Sequence, residues 1–261
     1  MSSSQAADLQ SRCDLLRSLH TPGAPLLLPN AWDVATARAV VAAGFPVVAT
    51  SSGAVAATLG YEDHEGAPAA EMLAADARIA HAVDVPVTID AEAGYGMAPT
   101  ELVGALRRAG AAGCNLEDTD HGTGTLRDPD RHAEWLGAVR QAASADGYGL
   151  VINARVDVLL GPFFSGAPPG SQAELVAEAL RRANAYLDAG ADCVYPIALW
   201  EPDALGHFLS EVRGPVNVIR LPQTPSLADL AALGVARVSW ATILFRDAMA
   251  RFEEQLAALR E

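Results

Sequence analysis

Lysine is missing from all 261 residues, so each of the 18 basic side chains is an arginine. That absence excludes a Schiff-base aldolase, an internally attached PLP and a Walker A nucleotide loop, each of which needs an ε-amino group. Cysteine is scarce as well. Cys13, Cys114 and Cys193 stand far apart with no C-x-x-C spacing, which suggests neither a disulfide framework nor a zinc site. Cys114 and Cys193 lie inside apolar runs and read as small core residues rather than nucleophiles. No stretch reaches the ~18 consecutive apolar residues of a membrane span, and the start, MSSSQAADLQSRCDLL, lacks a basic segment followed by an apolar one. Positive charge is in short supply: 18 basic against 32 acidic residues give a formal net charge of −14. This speaks against nucleic acid and anionic membranes as partners. The expectation is a cytoplasmic, soluble protein in which a small anion would need a metal or a placed arginine.

What is present is a repeating pattern in a chain that is 51% hydrophobic. After a polar start and an amphipathic helix within residues 1–20 (Leu9, Cys13, Leu16 and Leu19 at helical spacing), short apolar strands alternate with helices. The strands are 25–29, 46–51, 85–90, 113–117, 150–157, 192–197, 215–219 and 235–239. The helices fall at about 30–41, 67–83, 100–109, 132–143, 171–189, 202–212, 226–233 and 241–259, with a Gly/Ala loop before the second and a polar loop before the fourth. Alternation of this kind specifies parallel strands with crossover helices, and eight such units predict a (β/α)8 TIM barrel, α/β in class, forming a single domain over 1–261. An open doubly wound sheet is the alternative, but the first βα turn, PNAWD, has no G-x-G-x-x-G fingerprint. The stretch Leu159 to Gly170 (LLGPFFSGAPPG) reads as an ordered insertion over one end of the barrel.

The chain is organised around Val85 to Gly96, VPVTIDAEAGYG, where a buried strand ends in acid. Asp90 and Glu92, two residues apart, are predicted to leave the strand on one side, and like charges that close need a cation, a shared proton or water. The plainer alternative is a solvated strand end. Reactive groups of a barrel gather where strands give way to loops. Strand two is followed by Ser51, Ser52 and Gly53, then Asp63; strand four ends in Glu117 and Asp118; strand five carries Arg155 and Asp157. Asn30 and Trp32 follow strand one, Asn217 lies on strand seven, and Arg237 and Ser239 on strand eight. Such an oxygen-rich set suits Mg2+ or Mn2+. The Ser52–Gly53 backbone could hold a developing enolate oxygen and Arg155 could clamp a carboxylate. His121 lies in the loop that could cover the site, although solvent exposure is the simpler reading of it.

At these residues the sequence becomes specific. PNAWDVATARAVVAAGF, SSG followed by LGYED, VTIDAEAGYG, GAAGCNLED, NARVD and LGVARVS resemble, in order, the isocitrate lyase/phosphoenolpyruvate mutase superfamily in its phosphonomutase-like branch. The resemblance implies a (β/α)8 barrel in a homodimer or homotetramer whose last helix is exchanged between subunits. It also implies Mg2+ and chemistry on 2-oxo acid enolates. By position it makes Ser52 and Gly53 the backbone that grips the oxo-carboxylate end, Arg155 the substrate arginine, and Asp63, Asp90, Glu92 and Glu117 the acids around the metal. Among these acids Asp90 is the direct ligand, with Glu92 and Glu117 completing the metal set. Lyases of that family carry a Lys-[Lys/Arg]-Cys-Gly-His run after strand four, with the cysteine as acid/base. Here that loop reads DTDHGTGTLRDPD, with His121 or Thr125 as the stand-in, and Ile197 occupies the end of strand six where those lyases have Glu and the mutases His.

The expected activity is a Mg2+-dependent lyase acting on a small 2-oxo or 2-hydroxy di- or tricarboxylate through a metal-bound enolate, with Arg155, Asp63, Glu117 and His121 as catalytic groups and Ser52, Gly53, Arg155 and Asn217 binding substrate. P–C chemistry of the phosphoenolpyruvate phosphonomutase or phosphonopyruvate hydrolase type is the first alternative. A barrel that binds a keto acid without turning it over is the second. The apolar stripe Ile243, Leu244, Phe245, Met249, Phe252 and Leu256 on the last helix calls for a partner.

Overall fold

A computed structural model describes residues 3–166, 168 and 170–260. Eight parallel strands close on themselves, as the alternation predicts. The first, β1, runs in two pieces, Leu26–Leu28 and Asn30–Ala31, broken at Pro29, which has no N–H to give to a ladder. The first piece pairs with β8 (Arg237–Ser239) and the second with β2 (Val48–Thr50), so the break hands the strand from one neighbour to the other. From β2 the order continues through β3 (Val87–Asp90), β4 (Gly113–Leu116), β5 (Val151–Val156) and β6 (Cys193–Pro196). A parallel bridge between Val194 and Val216 joins β6 to β7 (Asn217–Ile219), which pairs with β8 and completes the ring.

The strands read as unbroken apolar runs because parallel strands are covered on both faces: all six residues of β5 are buried. The helices supply the outer cover through one stripe each, such as Leu102, Val103 and Leu106 of α5 (Pro99–Ala109) and Leu136 and Val139 of α6 (Pro129–Ala145). Truncating one such fully buried leucine to alanine costs about 2–5 kcal/mol. Local signals set the helix ends. Asp33 accepts from the Thr36 N–H and forms a capping box ahead of α2 (Val34–Ala42), and Asp128 with Pro129 starts α6. Helix α1 (Ser3–Ser18) lies across the N-terminal ends of the strands, burying Leu9, Cys13 and Leu16, while Arg17 bonds Asp192 and the Gly149 carbonyl.

The structure departs from the expected elements in three places. The loop expected after β2 is in fact an eight-residue helix, α3 (Ser52–Leu59), because SGAVAATL is rich in alanine and apolar enough to bury Ala54, Val55 and Ala56. It precedes α4 (Ala69–Ala80). The polar loop after β4 contains a two-stranded ribbon, Thr119–Asp120 against Thr125–Leu126. The 159–170 insertion carries a short helix, α7 (Leu160–Phe164), with Phe164 exposed, and leads through a 3-10 turn (Ser171–Leu175) to α8 (Val176–Asp188). Two further helices, α9 (Pro202–Glu211) and α10 (Leu227–Ala232), precede α11 (Ile243–Ala258). No residue of α11 is buried: Phe245 meets Trp32 edge-on, and Met249, Phe252 and Leu256 are exposed. Among the described residues no helix is long and apolar enough to cross a membrane.

Candidate active site at the C-terminal rim

Among the described residues, six other than glycine adopt a left-handed backbone: His64, Glu65, Glu92, Tyr95, Ala198 and Ala241. All six lie in segments that follow β2, β3, β6 or β8, on the rim where the strands end. Such conformations cost of order 1 kcal/mol or more each and persist where surrounding contacts impose them. The rim is therefore the strained end of the barrel.

Asp90 closes β3 and is held from several directions. Its Oδ2 accepts the Ser52 N–H at 3.0 Å, its Oδ1 accepts from Asn115 Nδ2 at 3.4 Å, and its own N–H donates to Thr50 Oγ1 at 3.0 Å. Glu92 does not follow as the next in-facing residue of a strand, because β3 stops at Asp90 and Glu92 takes φ 47°. That turn aims its carboxylate at the loop after α3, where Oε2 accepts the Glu65 N–H. Glu65 in turn accepts the Tyr95 N–H at 2.6 Å, so the loops after α3 and β3 clasp each other. Burial pushes the Glu92 carboxyl up to about 7, with Asp90, Asp63 and Glu65 adding repulsion and the Glu65 N–H opposing it. Beneath them lies Asp76 of α4, 1% exposed and with neither oxygen in hydrogen-bond geometry with a partner. Burial drives it up to about 8, Asp90 and Glu92 add to that, and the nearby Thr50 hydroxyl offsets part of it.

Ser52 and Gly53 form the first turn of α3, so their N–H groups are helix N-terminal donors rather than loop donors. A Cβ at Gly53 would stand 2.5 Å from Asp63 Oδ2 and 3.1 Å from Thr242 Oγ1, so a side chain there displaces the Asp63 carboxylate. The structure thus brings Asp63 against the same helix end that holds Asp90.

β4 and β5 provide the other half of the rim. Glu117 is 2% exposed; its Oε1 pairs with Arg155 Nη1 and its Oε2 meets His121 Nε2 at 2.9 Å. Arg155 also grips Asp157 through Nε at 2.6 Å and Nη2 at 3.0 Å, and Thr119 Oγ1 donates to Asp157 Oδ2 at 2.6 Å. Arg155 is 8% exposed, so this is an interior network and not a rim ion pair. Burial outweighs Arg155 and His121 and holds the Glu117 carboxyl above the usual carboxylate range. For His121 burial pulls the other way, but the Glu117 hydrogen bond and charge prevail and raise it above an ordinary histidine. The His121 and His64 rings lie 5.1 Å apart and join the two covering loops. Asp118 faces away from the site: it accepts from Arg182 Nη1 (2.9 Å), Tyr186 OH (2.7 Å) and the Asp157 N–H (2.9 Å). Arg182 Nη1 also reaches the Arg127 carbonyl at 2.9 Å, so both roots of the 119–126 ribbon hang on α8.

Asn217 lies inside the barrel, its amide donating to Ser239 Oγ at 3.2 Å, below Ile219. Thr125 is not a loop group aimed at the site: it is exposed and its hydroxyl pairs with Thr123. Ile197 joins Tyr195 and Ile219 in a small apolar cluster at the mouth. A cavity of about 190 Å³ between α7, the 3-10 turn and Trp200 opens on this rim but is lined by none of the acids above; its one carboxylate is Glu201, in the loop after β6.

Could these residues hold a divalent cation? Among the described residues no three His, Cys, Asp or Glu side chains converge as a complete ligand set. The donors nevertheless fit a hard cation that keeps most of its waters, which needs only one or two carboxylates. Asp90, closing β3, would give one of them, and burial, with Asp90 adding repulsion, holds the Glu92, Glu117 and Asp76 carboxyls above the usual carboxylate range.

Sequence reasoning passed over Asp76, Tyr95, His64 and Asn115. Only Asp76 left a usable signal, as the lone acid on the buried stripe Met72, Leu73, Asp76, Ile79 and Ala80 of α4.

The profile of the phosphoenolpyruvate phosphomutase family matches residues 16–260. A phosphoenolpyruvate phosphomutase of Streptomyces hygroscopicus is 32% identical over 255 residues, 93% of this chain and 78% of that protein. A Corynebacterium glutamicum protein assigned provisionally as 2-methylisocitrate lyase 2 is 30% identical over 262 residues, 97% of this chain and 82% of that one. A solved Burkholderia cenocepacia protein, described as a candidate phosphonomutase, superposes with a TM-score of 0.85 at 41% identity, covering 95% of this chain and 98% of that one. With a barrel whose acids and arginine gather on one rim, the chain belongs to the phosphoenolpyruvate mutase/isocitrate lyase superfamily.

Proposed function

We propose that this protein is a Mg2+-dependent lyase acting on a small 2-oxo or 2-hydroxy di- or tricarboxylate, breaking a C–C bond through a substrate enolate. The observation that carries the reading is the set of groups on one rim: Asp90 on the Ser52 N–H at the α3 N-terminus, the Glu117–Arg155 pair, and Glu92, pushed up to about 7 by burial and its neighbours. Asp90 would hold the cation directly, with Glu92, Glu117 and Asp63 acting through water, and the bound ion would supply stabilisation of charge developing on a carbonyl oxygen.

The chain's own residues do the rest. Ser52 and Gly53 offer first-turn N–H groups to the oxo-carboxylate end, the Ser52 N–H being shared with Asp90. Arg155 orients a substrate carboxylate; because its Nε, Nη1 and Nη2 already serve Asp157 and Glu117, an incoming carboxylate shares those donors. For a 2-hydroxy acid, the hydroxyl proton passes to the Glu117–His121 pair, the carbinol carbon becomes the 2-oxo group of one product, and the electron pair of the broken C–C bond stays on the other fragment as an enolate whose carbon then needs a proton. His121, holding its Nε2 on Glu117, is the loop group that returns it.

A second reading is P–C bond chemistry, favoured by the phosphomutase relatives. Incubating the protein and Mg2+ with oxaloacetate, methylisocitrate and phosphonopyruvate, and following keto acid and phosphate release, separates the two. No turnover of the panel, combined with tight Mg2+-dependent binding of oxalate by calorimetry, would instead support a keto-acid-binding barrel. Turnover unaffected by EDTA would remove the metal from the proposal. The exposed apolar stripe of α11 supports a homodimer or homotetramer, which light scattering on the purified chain tests.

A further inference from the structure

Arg237 is buried inside the barrel with 1% exposure, and among the described residues it has no carboxylate at ion-pair distance. Its Nη2 donates to Asn115 Oδ1 at 3.2 Å, while Nε and Nη1 have no hydrogen-bond partner. Stripping a guanidinium of water without a counter-ion costs several kcal/mol, and an apolar side chain of similar volume would serve folding at least as well. The fold therefore carries a penalty that packing does not explain.

The hydrogen bonds lead from Arg237 to the rim. Asn115 Oδ1 receives two donors, Asn153 Nδ2 at 2.8 Å and Arg237 Nη2. An amide whose oxygen is fixed by two donors cannot flip, so its NH2 must face the other way, toward Asp90 Oδ1 at 3.4 Å. Asp90, Asn115 and Asn153 are in register across β3, β4 and β5, which makes the row rigid. With Oδ2 on the Ser52 N–H, both oxygens of Asp90 are oriented before any ligand arrives. We propose that Arg237 is a positioning residue for Asp90, acting through the amide of Asn115. The inference rests on the reading of Asp90 as the metal anchor.

Outer partners of a ligating group typically contribute about 10–100-fold to metal affinity. Mn2+ binding to the full chain is measured by calorimetry for wild type, Asp90→Asn, Arg237→Met, Arg237→Lys, Asn115→Leu and the Arg237→Met/Asn115→Leu double variant. Positioning predicts at least ~10-fold weaker Mn2+ binding for Arg237→Met, although that variant removes a positive charge that repels the ion. It also predicts a double variant no weaker than Asn115→Leu alone, and a loss in Arg237→Lys, which keeps the charge but, being shorter, withdraws the donor that Nη2 places on Asn115 Oδ1. Tighter Mn2+ binding in Arg237→Met, or losses that multiply in the double variant, would overturn the proposal. If Arg237→Met does not fold, Arg237→Lys and Asn115→Leu decide it: unchanged affinity in both overturns it. Equal Mn2+ affinity in wild type and Asp90→Asn would overturn the metal-anchor reading itself. Loss in Asp90→Asn with wild-type affinity in Arg237→Met removes only the role of Arg237.

Discussion

Replacing Asp76 with asparagine should stabilise the protein at pH 8 but not at pH 4. Asp76 is 1% exposed and its carboxyl is raised from 3.8 to about 8 by burial, helped by Asp90 and Glu92. A raised carboxyl binds its proton more tightly in the folded chain than in the unfolded one. Below the unfolded value both states are protonated and nothing is lost; as pH climbs toward 8 the unfolded chain ionises first and stability falls. The rise from 3.8 to about 8 bounds the penalty at about 6 kcal/mol. Asparagine removes it but buries an amide without assured partners, which costs about 1–3 kcal/mol. The net gain is then about 3–5 kcal/mol at pH 8, or about 6–10 °C in Tm for a chain of this size. Differential scanning calorimetry of both proteins at pH 4, 6 and 8 checks it. A Tm gain of equal size at every pH, or a loss at pH 8, would refute the account of Asp76 as a buried, electrostatically penalised acid.

The remaining predictions concern the rim. Mg2+ should raise Tm more at pH 8 than at pH 5, because Glu92 at about 7 and the raised Glu117 are protonated in acid and must ionise to serve a cation; a thermal-shift titration with MgCl2 reads it. His121→Ala should lower turnover and flatten the pH profile near neutrality, and should cost more stability at pH 6 than at pH 9, since a raised histidine stabilises below its unfolded pKa and fades above its folded one. Arg155→Lys loses the fork on Asp157 and should cut kcat/KM by about 10–100-fold in steady-state assays, the worth of one or two charge-assisted hydrogen bonds. Gly53→Ala drives a methyl to 2.5 Å from Asp63 Oδ2. It should weaken Mg2+ binding by displacing the Asp63 carboxylate while changing stability in urea unfolding by less than about 1 kcal/mol, because a carboxylate end can swing aside and alanine favours the helix.

The barrel was legible because its signals are local and repeated. Each strand is a short apolar run bounded by Gly, Pro or a helix cap, as at Val87–Asp90 ahead of Pro99. Asp90, Glu117 and Arg155 were legible for the same reason, since they sit where such runs stop. Helix α3 was not, because small residues such as Gly53 and Ala54 serve loops and helices alike and only the packing against the barrel chooses between them. Glu92 shows a different limit. Its distance from Asp90 in sequence is two, but φ 47° turns it toward Glu65, a partner 27 residues away. Asp76 and Arg237 owe their importance to missing partners, and a sequence displays which groups are present but not which go unmet.

The anchoring of the 119–126 ribbon on Arg182 decides what can swing. Asp118 and the Arg127 carbonyl are tied to one guanidinium, while residues 122–126 project freely into solvent. Any gate formed here pivots like a drawbridge on fixed trunnions, with its travel confined to the glycine-bounded tip. His121 lies between the paired Asp120 and the tip and is held on Glu117 at 2.9 Å, so motion confined to the tip need not carry the imidazole away. Amide exchange should accordingly divide within a few residues, fast at Gly122–Gly124 and slow at Asp157 and Arg127, whose N–H groups bond Asp118.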